Sequence, residues 1–197
     1  LAPLFLWIAY INNIFFHLFL LLIFVISLYE LKFVFIKNKF FYICLFILLL
    51  AFSFSTLNIR GNSNNGFYYF LWIVLVIWLS DIGGYVFGNI FKGPALSKWS
   101  PKKTFSGLFG SLILSQCAFF IPSKFGQDFD YTFVIFLFQF FLSAIAIFGD
   151  LFFSFIKRKH NIKDYSNLIP GHGGLLDRID GMIFVMIFAY LIKIYVY

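Results

Sequence analysis

Six long apolar stretches, separated by short polar segments, set the limits on what this chain can fold into. They fall at roughly 13–29, 40–55, 67–88, 105–121, 131–156 and 179–197, each near the ~20 residues an α-helix needs to cross ~30 Å of hydrocarbon. A backbone bathed in lipid must satisfy its own hydrogen bonds, and the helix does so within one segment. Leu1 to Tyr10 reads as the tail of one more helix. The expectation is an all-α integral membrane protein, a polytopic bundle of about six transmembrane helices forming one domain over residues 1–197. Position 1 is Leu rather than Met, which reads as a chain short of N-terminal residues. Neither a signal peptide nor a soluble domain nor an internal repeat is visible.

Composition supports lipid contact. Hydrophobic residues make up 62% of the 197 and charged residues 12%, with mean hydropathy +0.94. A water-soluble domain carries about 25% charged residues. The 33 phenylalanines would leave large adhesive patches in water, and lipid covers them. Cys44 and Cys117 lie in apolar segments without metal-ligand spacing and read as small buried hydrophobes.

The net charge of +7 is not spread as nucleic-acid binding would require. Twelve of the fifteen Lys and Arg residues fall in three alternate loops. Lys32, Lys37 and Lys39 occupy the first, and Lys92, Lys98, Lys102 and Lys103 the second. The third holds Lys157, Arg158, Lys159, Lys163 and Arg178. The other connections and the C-terminal end contain Arg60, Lys124 and Lys193. Positively charged loops remain in the cytoplasm, so the alternation fits six crossings. Two of the basic loops also carry Asp, Ser, Thr, Gly and His, which topology alone does not demand.

Asp150 sits near the end of an otherwise apolar helix, where a carboxylate costs on the order of 3 kcal/mol to insert and is therefore a functional candidate. Ser154, Lys157 and Arg158 follow on one helical face. Lys163 and Asp164 open a loop reaching Pro170-Gly171-His172-Gly173-Gly174, whose glycines let backbone N–H groups approach an anion. Asp177 and Asp180 share a face at the start of the last helix, with Arg178 between them. Carboxylates beside phosphate-binding cations suit Mg²⁺, which takes few protein ligands and completes its octahedron with phosphate oxygens and water. Upstream, Ser100 and Pro101 read as N-cap and first residue of a helix beginning near Lys102.

These residues carry a resemblance. Ser154, Lys157-Arg158, Lys163-Asp164, Pro170-x-His172-Gly173-Gly174 and Asp177-Arg178-x-Asp180 resemble the signature of the phosphatidate cytidylyltransferase (CDP-diacylglycerol synthase) family. Asp81-Ile82-Gly83-Gly84-Tyr85, Gly88 and Ser100-Pro101-Lys102-Lys103-Thr104 resemble its upstream elements. The likeness covers roughly residues 40–197, and members usually have further N-terminal helices. Ser106 departs from it: many members place an acidic or amide residue there.

The resemblance implies a Mg²⁺-dependent nucleotidyltransferase of phospholipid biosynthesis, in which CTP and phosphatidic acid give CDP-diacylglycerol and pyrophosphate. It implies Asp150 and Asp177 as metal ligands, with Asp180 as a further or outer ligand and room for a second cation. Lys157, Arg158, Lys163 and Arg178 would hold phosphates, joined by Ser154 and Asp164. Ser100, Lys103 and Thr104 would meet the triphosphate, and the His172–Gly173–Gly174 turn would complete the cradle. Asp81 would either ligate metal or orient Lys103. The bilayer is the second partner, a homodimer is a family-level expectation, and nucleic acid is not expected. The implied location is the bacterial inner membrane, with the site facing the cytoplasm.

Other classes read less well. A CTP-using polyprenol kinase would release CDP rather than pyrophosphate. A CDP-alcohol phosphatidyltransferase would need an Asp-Gly-x-x-Ala-Arg element, absent here. A transporter would be expected to show repeat-related half helices.

Overall fold

Polar residues flanking the apolar stretches continue the helices, so most run a few residues past the apolar limits. The computed structural model describes residues 2–11, 13–35, 39–121, 132–168 and 173–196. Lys37, Lys124, Asp128, Asp130, Pro170 and His172 lie outside the described residues. The helices are α1 (Ala2–Ile11), α2 (Asn13–Phe35), α3 (Lys39–Arg60), α4 (Asn64–Phe91), α5 (Phe105–Ser115), α6 (Thr132–Lys159) and α7 (Leu176–Val196). A two-stranded antiparallel hairpin, β1 (Ala95–Ser97) and β2 (Ser100–Thr104), joins α4 to α5.

Four helical segments are long and apolar enough to cross a bilayer: Ile14–Lys32, Lys39–Arg60, Asn64–Phe91 and Phe133–Lys159. The stretch expected as a fourth full crossing is shorter. It forms α5 and a 3₁₀ turn at Gln116–Phe119, together an apolar helix over Phe105–Phe119 that rises roughly 24 Å. Lipid-facing character is plain from the surface, where Phe133, Phe40 and Phe120 are all at least 70% exposed. This is an all-α membrane protein with one small β-hairpin. Cys44 and Cys117 are exposed on that apolar surface, correcting the expectation that both are buried; a thiol is apolar enough to face lipid.

α7 lies against α3, α4 and α6, which explains why Ile183, Val185, Met186 and Ala189 are fully buried. Buried hydroxyls bridge the helices elsewhere. Ser80 and Ser143 share a 2.9 Å hydrogen bond, and Ser111 donates to the Ser80 carbonyl at 2.7 Å. In an apolar interior such contacts replace the water those groups would otherwise need.

Side-chain contacts sort the helix ends into two groups. Lys159 lies over the Phe41 ring at 5.1 Å, joining the end of α6 to the start of α3. Trp99 of the hairpin meets Phe155 of α6 edge-on at 5.1 Å. The three basic connections therefore share one end of the bundle. At the other end Lys193 donates to the Asn58 and Ile59 carbonyls, and buried Arg60 donates to the Ala9 carbonyl at 2.7 Å.

The hairpin corrects the sequence reading at Ser100 and Pro101. These two belong to β2, and α5 starts five residues after Ser100. Thr104 is the N-cap, with its hydroxyl accepting from the Gly107 N–H at 3.1 Å. Pro101 tolerates an edge strand because it has no N–H to pair. Ser106 has a local role: its hydroxyl donates to the Lys92 carbonyl and meets the Thr104 hydroxyl at 2.9 Å. It thereby closes the base of the hairpin against the end of α4.

Candidate active site

Two glycine–aspartate pairs bring α6 and α7 together. Gly149 precedes Asp150, and Gly181 follows Asp180. A Cβ on Gly149 would sit 3.1 Å from the Gly181 Cα, and a Cβ on Gly181 would sit 2.7 Å from Asp150 Oδ1. The helices can approach this closely only because both positions lack side chains. The approach sets the Asp150 carboxyl against the α7 backbone beside Asp180, and both carboxyls line one cavity. Two ionised carboxylates at ~4 Å repel by about 4 kcal/mol at a near-surface dielectric. Such a pair requires a proton or a cation to hold it together.

Around that pair lies a polar cavity of about 370 Å³, lined by Asp81, Lys103, Asp150, Ser154, Asp177, Arg178 and Asp180. Four elements supply them: α4 contributes Asp81, β2 Lys103, α6 Asp150 and Ser154, and α7 the rest. Lys103 is ion-paired to Asp150. A second cavity of about 250 Å³ adjoins the first across Asp81, Lys103 and Asp150. Its remaining wall includes Tyr85, Leu96, Leu108 and Ile147, with the Thr104 hydroxyl at one side. A strongly polar chamber thus opens beside a partly apolar one.

Asp177 is held differently from Asp150. Its Oδ1 accepts from Lys157 Nζ at 2.6 Å, and its Oδ2 accepts from the Gly174 and Tyr165 N–H groups at 2.9 and 3.0 Å. Lys157 also reaches within 4.0 Å of Asp180 and lies over the Tyr165 ring at 5.4 Å. Charge-assisted bonds of this kind are short and strong, so Asp177 ties the loop after α6 to the start of α7. Burial, with the carboxylates of Asp180, Asp177 and Glu30 adding to it, pushes the Tyr165 hydroxyl well above its ordinary range. Tyr165 therefore stays neutral at physiological pH.

The glycine turn is also occupied structurally. Gly173 has φ +82°, a left-handed conformation that suits glycine. The Gly174 N–H goes to Asp177, and a Cβ there would meet the Glu30 carboxylate at 2.8–3.0 Å. Both glycines give the backbone room beside carboxylates.

The structure thus gathers Asp81, Lys103, Asp150, Ser154, Asp177, Arg178 and Asp180 at one cavity, with Thr104 at its neighbour. Lys157 stands behind Asp177. Ser100 lines neither cavity. Arg158 is exposed and donates to the Ile162 carbonyl at 3.2 Å, and Lys163 and Asp164 are exposed on the loop. The one-face stripe expected of Ser154, Lys157 and Arg158 splits because a helix turns 100° per residue: neighbours Lys157 and Arg158 diverge. Among the described residues, no three His, Cys, Asp or Glu side chains converge closely enough to hold a metal ion unaided.

Sequence reasoning missed Glu30. This single glutamate of the chain lies in α2, 1% exposed. Its carboxylate accepts from the Ser166 hydroxyl at 2.6 Å and from the Leu175 and Leu176 N–H groups, each at 2.8 Å. The signal was available, since an acid inside an apolar helix is a functional candidate wherever it occurs.

The chain is similar to known proteins along its length. The sequence profile of the cytidylyltransferase family matches residues 1–196. The chain is 38% identical over 135 residues to a phosphatidate cytidylyltransferase of Rickettsia conorii, covering 63% of this chain and 59% of that protein. It is 37% identical over 116 residues to the Helicobacter pylori protein of the same name (58% and 42% covered). To the Bacillus subtilis one it is 35% identical over 136 residues (68% and 50% covered). The chain spans about half the length of the curated relatives it matches.

Proposed function

Since this chain belongs to the cytidylyltransferase family, we propose that it transfers the cytidylyl group of CTP to phosphatidate at the polar cavity, giving CDP-diacylglycerol and pyrophosphate. The observation that carries the reading is the cavity itself, where four aspartates, Lys103, Arg178 and Ser154 meet at the basic end of a membrane bundle. The relatives named phosphatidate cytidylyltransferase supply the substrate pair.

In this reading an oxygen of the lipid phosphate attacks the α-phosphorus of CTP, and the bond to the β-phosphate bridging oxygen breaks to release pyrophosphate. Both reactants are anions, and the lipid phosphate is already ionised at neutral pH. The protein's task is therefore to position two phosphates and offset their repulsion. Lys103 and Arg178 are the cavity-lining cations suited to that role. Lys157 acts through Asp177, keeping the start of α7 in place. No side chain is needed as a general base.

The donor set fits Mg²⁺. Asp150 and Asp180 line one cavity from adjoining helices, and their mutual repulsion calls for a cation, while phosphate oxygens and water would complete a site that has too few protein ligands by itself. Bound there, Mg²⁺ would offset charge on the phosphates and polarise the phosphorus under attack. Asp177, with three hydrogen bonds already made, serves better as a fixed neighbour than as a direct ligand. The charge distribution supports a cytoplasmic orientation of the cavity, and the bacterial relatives support the inner membrane. The partly apolar second cavity suits the part of the lipid nearest its headgroup.

The test is the fate of labelled CTP. Purified chain in vesicles containing phosphatidate, supplied with Mg²⁺ and CTP, is expected to release pyrophosphate and CDP-diacylglycerol in equal amounts, and chelation by EDTA should stop both. Release of CDP with phosphate transferred to lipid would mark a kinase and reject the proposal.

A further inference from the structure

Glu30 lies on a helix outside the stretch that carries the signature-like residues, yet it grips the element that presents two of them. Leu175 and Leu176 stand at the N-terminal edge of α7, where N–H groups lack partners within the helix. Glu30 accepts from both at 2.8 Å, one to each carboxylate oxygen. Its Oε1 also accepts from Ser166 at 2.6 Å, and its carboxylate packs where a side chain on Gly174 would otherwise sit. The next residue along α7 is Asp177, and Asp180 is one turn on. A carboxylate 1% exposed is costly to bury unless every lone pair is used. Here backbone donors and the positive end of a helix dipole use it.

We infer that Glu30 is a positioning residue: by fixing where α7 begins, it sets Asp177 and Asp180 against Asp150 across the cavity. The inference deepens the proposed function and rests on it for its kinetic half only. Glu30→Gln keeps the size of the side chain but turns an N–H₂ toward groups that are themselves donors, so at least one helix N–H loses its acceptor.

The experiment joins hydrogen exchange to kinetics on the full chain in vesicles. In Glu30→Gln, amides of residues 173–177 should exchange about tenfold faster, the scale of one lost charge-assisted hydrogen bond. Amides of residues 183–189, in the buried middle of α7, should be unchanged. The kcat should fall, with the Mg²⁺ concentration for half-maximal rate raised about tenfold and KM for CTP little altered; Glu30→Asp, too short to reach both N–H groups, should not rescue. Wild-type exchange at 173–177 overturns the inference, and so does faster exchange there with unchanged kcat and Mg²⁺ dependence. A uniform rise in exchange along α7 would mean general unfolding and also rejects it. Should the wild-type chain produce no CDP-diacylglycerol, that failure falls on the proposed activity, and the exchange pattern alone then decides the role of Glu30.

Discussion

Asp150→Asn should lower CTP turnover by at least about a thousandfold, equivalent to roughly 4 kcal/mol of transition-state stabilisation, while the protein still inserts and folds. Asparagine occupies the same volume but carries no charge. It removes one of the two carboxylates that α6 and α7 bring to the cavity as the Asp150–Asp180 pair, and with it the local demand for a cation. It also frees Lys103, whose ion-pair partner is Asp150. The Asp150 side chain is 22% exposed toward the cavity, so the substitution leaves no orphaned charge in the apolar core. Turnover within about tenfold of wild type, in protein that folds normally, would remove Asp150 from the chemistry.

Gly181→Ala should have the second-largest effect, a loss of about a hundredfold in turnover for the addition of one methyl group. That methyl would lie 2.7 Å from Asp150 Oδ1, closer than atoms can pack, and the Asp150 carboxyl must move. Displacements of about 1 Å in a positioned reacting site can cost about 10²-fold. Alanine is the better helix former by about 1 kcal/mol, which offsets part of the cost of easing α6 away from α7, so the variant should still fold while activity falls. A variant with wild-type turnover would show that the carboxyl's position is not critical. A variant that fails to fold would show that the α6–α7 contact, rather than the cavity, depends on the glycine.

Much of this arrangement could be read from residues alone, and the reasons differ by element. The long apolar segments announced α2, α3, α4 and α6, the four helices long and apolar enough to cross a bilayer, because lipid leaves them few alternatives; α7 followed from its own apolar run but is not among those four. The grouping of basic loops at one bundle end followed from counting charges, and the Lys159–Phe41 and Trp99–Phe155 contacts give it a physical form. Asp150 stood out because a carboxylate in an apolar helix needs a reason. Applied with the same force, that rule would have found Glu30.

Other features depend on tertiary contact. Ser-Pro-Lys-Lys-Thr satisfied a helix-start pattern, but strand pairing with Ala95–Ser97 prevailed and moved the cap to Thr104. Gly173 and Gly174 suggested an anion cradle. That the Gly174 N–H goes to Asp177, and that Glu30 fills the space beside Gly174 from 144 positions away in the chain, was not legible. The division of labour among the aspartates was also hidden: Asp177 and Asp180 share a helical face, yet Lys157 and two backbone N–H groups bind the first, while the second joins Asp150 in lining the cavity.

The central claim is that Asp150 of α6 and Asp180 of α7, which line one cavity, hold a divalent cation jointly with the phosphates of the nucleotide. Mn²⁺, a paramagnetic stand-in for Mg²⁺, can be titrated into the full chain with and without CTP and followed by electron paramagnetic resonance. Binding should tighten at least about tenfold with CTP in the wild type, because phosphate oxygens supply the missing ligands, and should be lost in both Asp150→Asn and Asp180→Asn. Equal Mn²⁺ affinity in the wild type and in these two variants, CTP present, would contradict the claim.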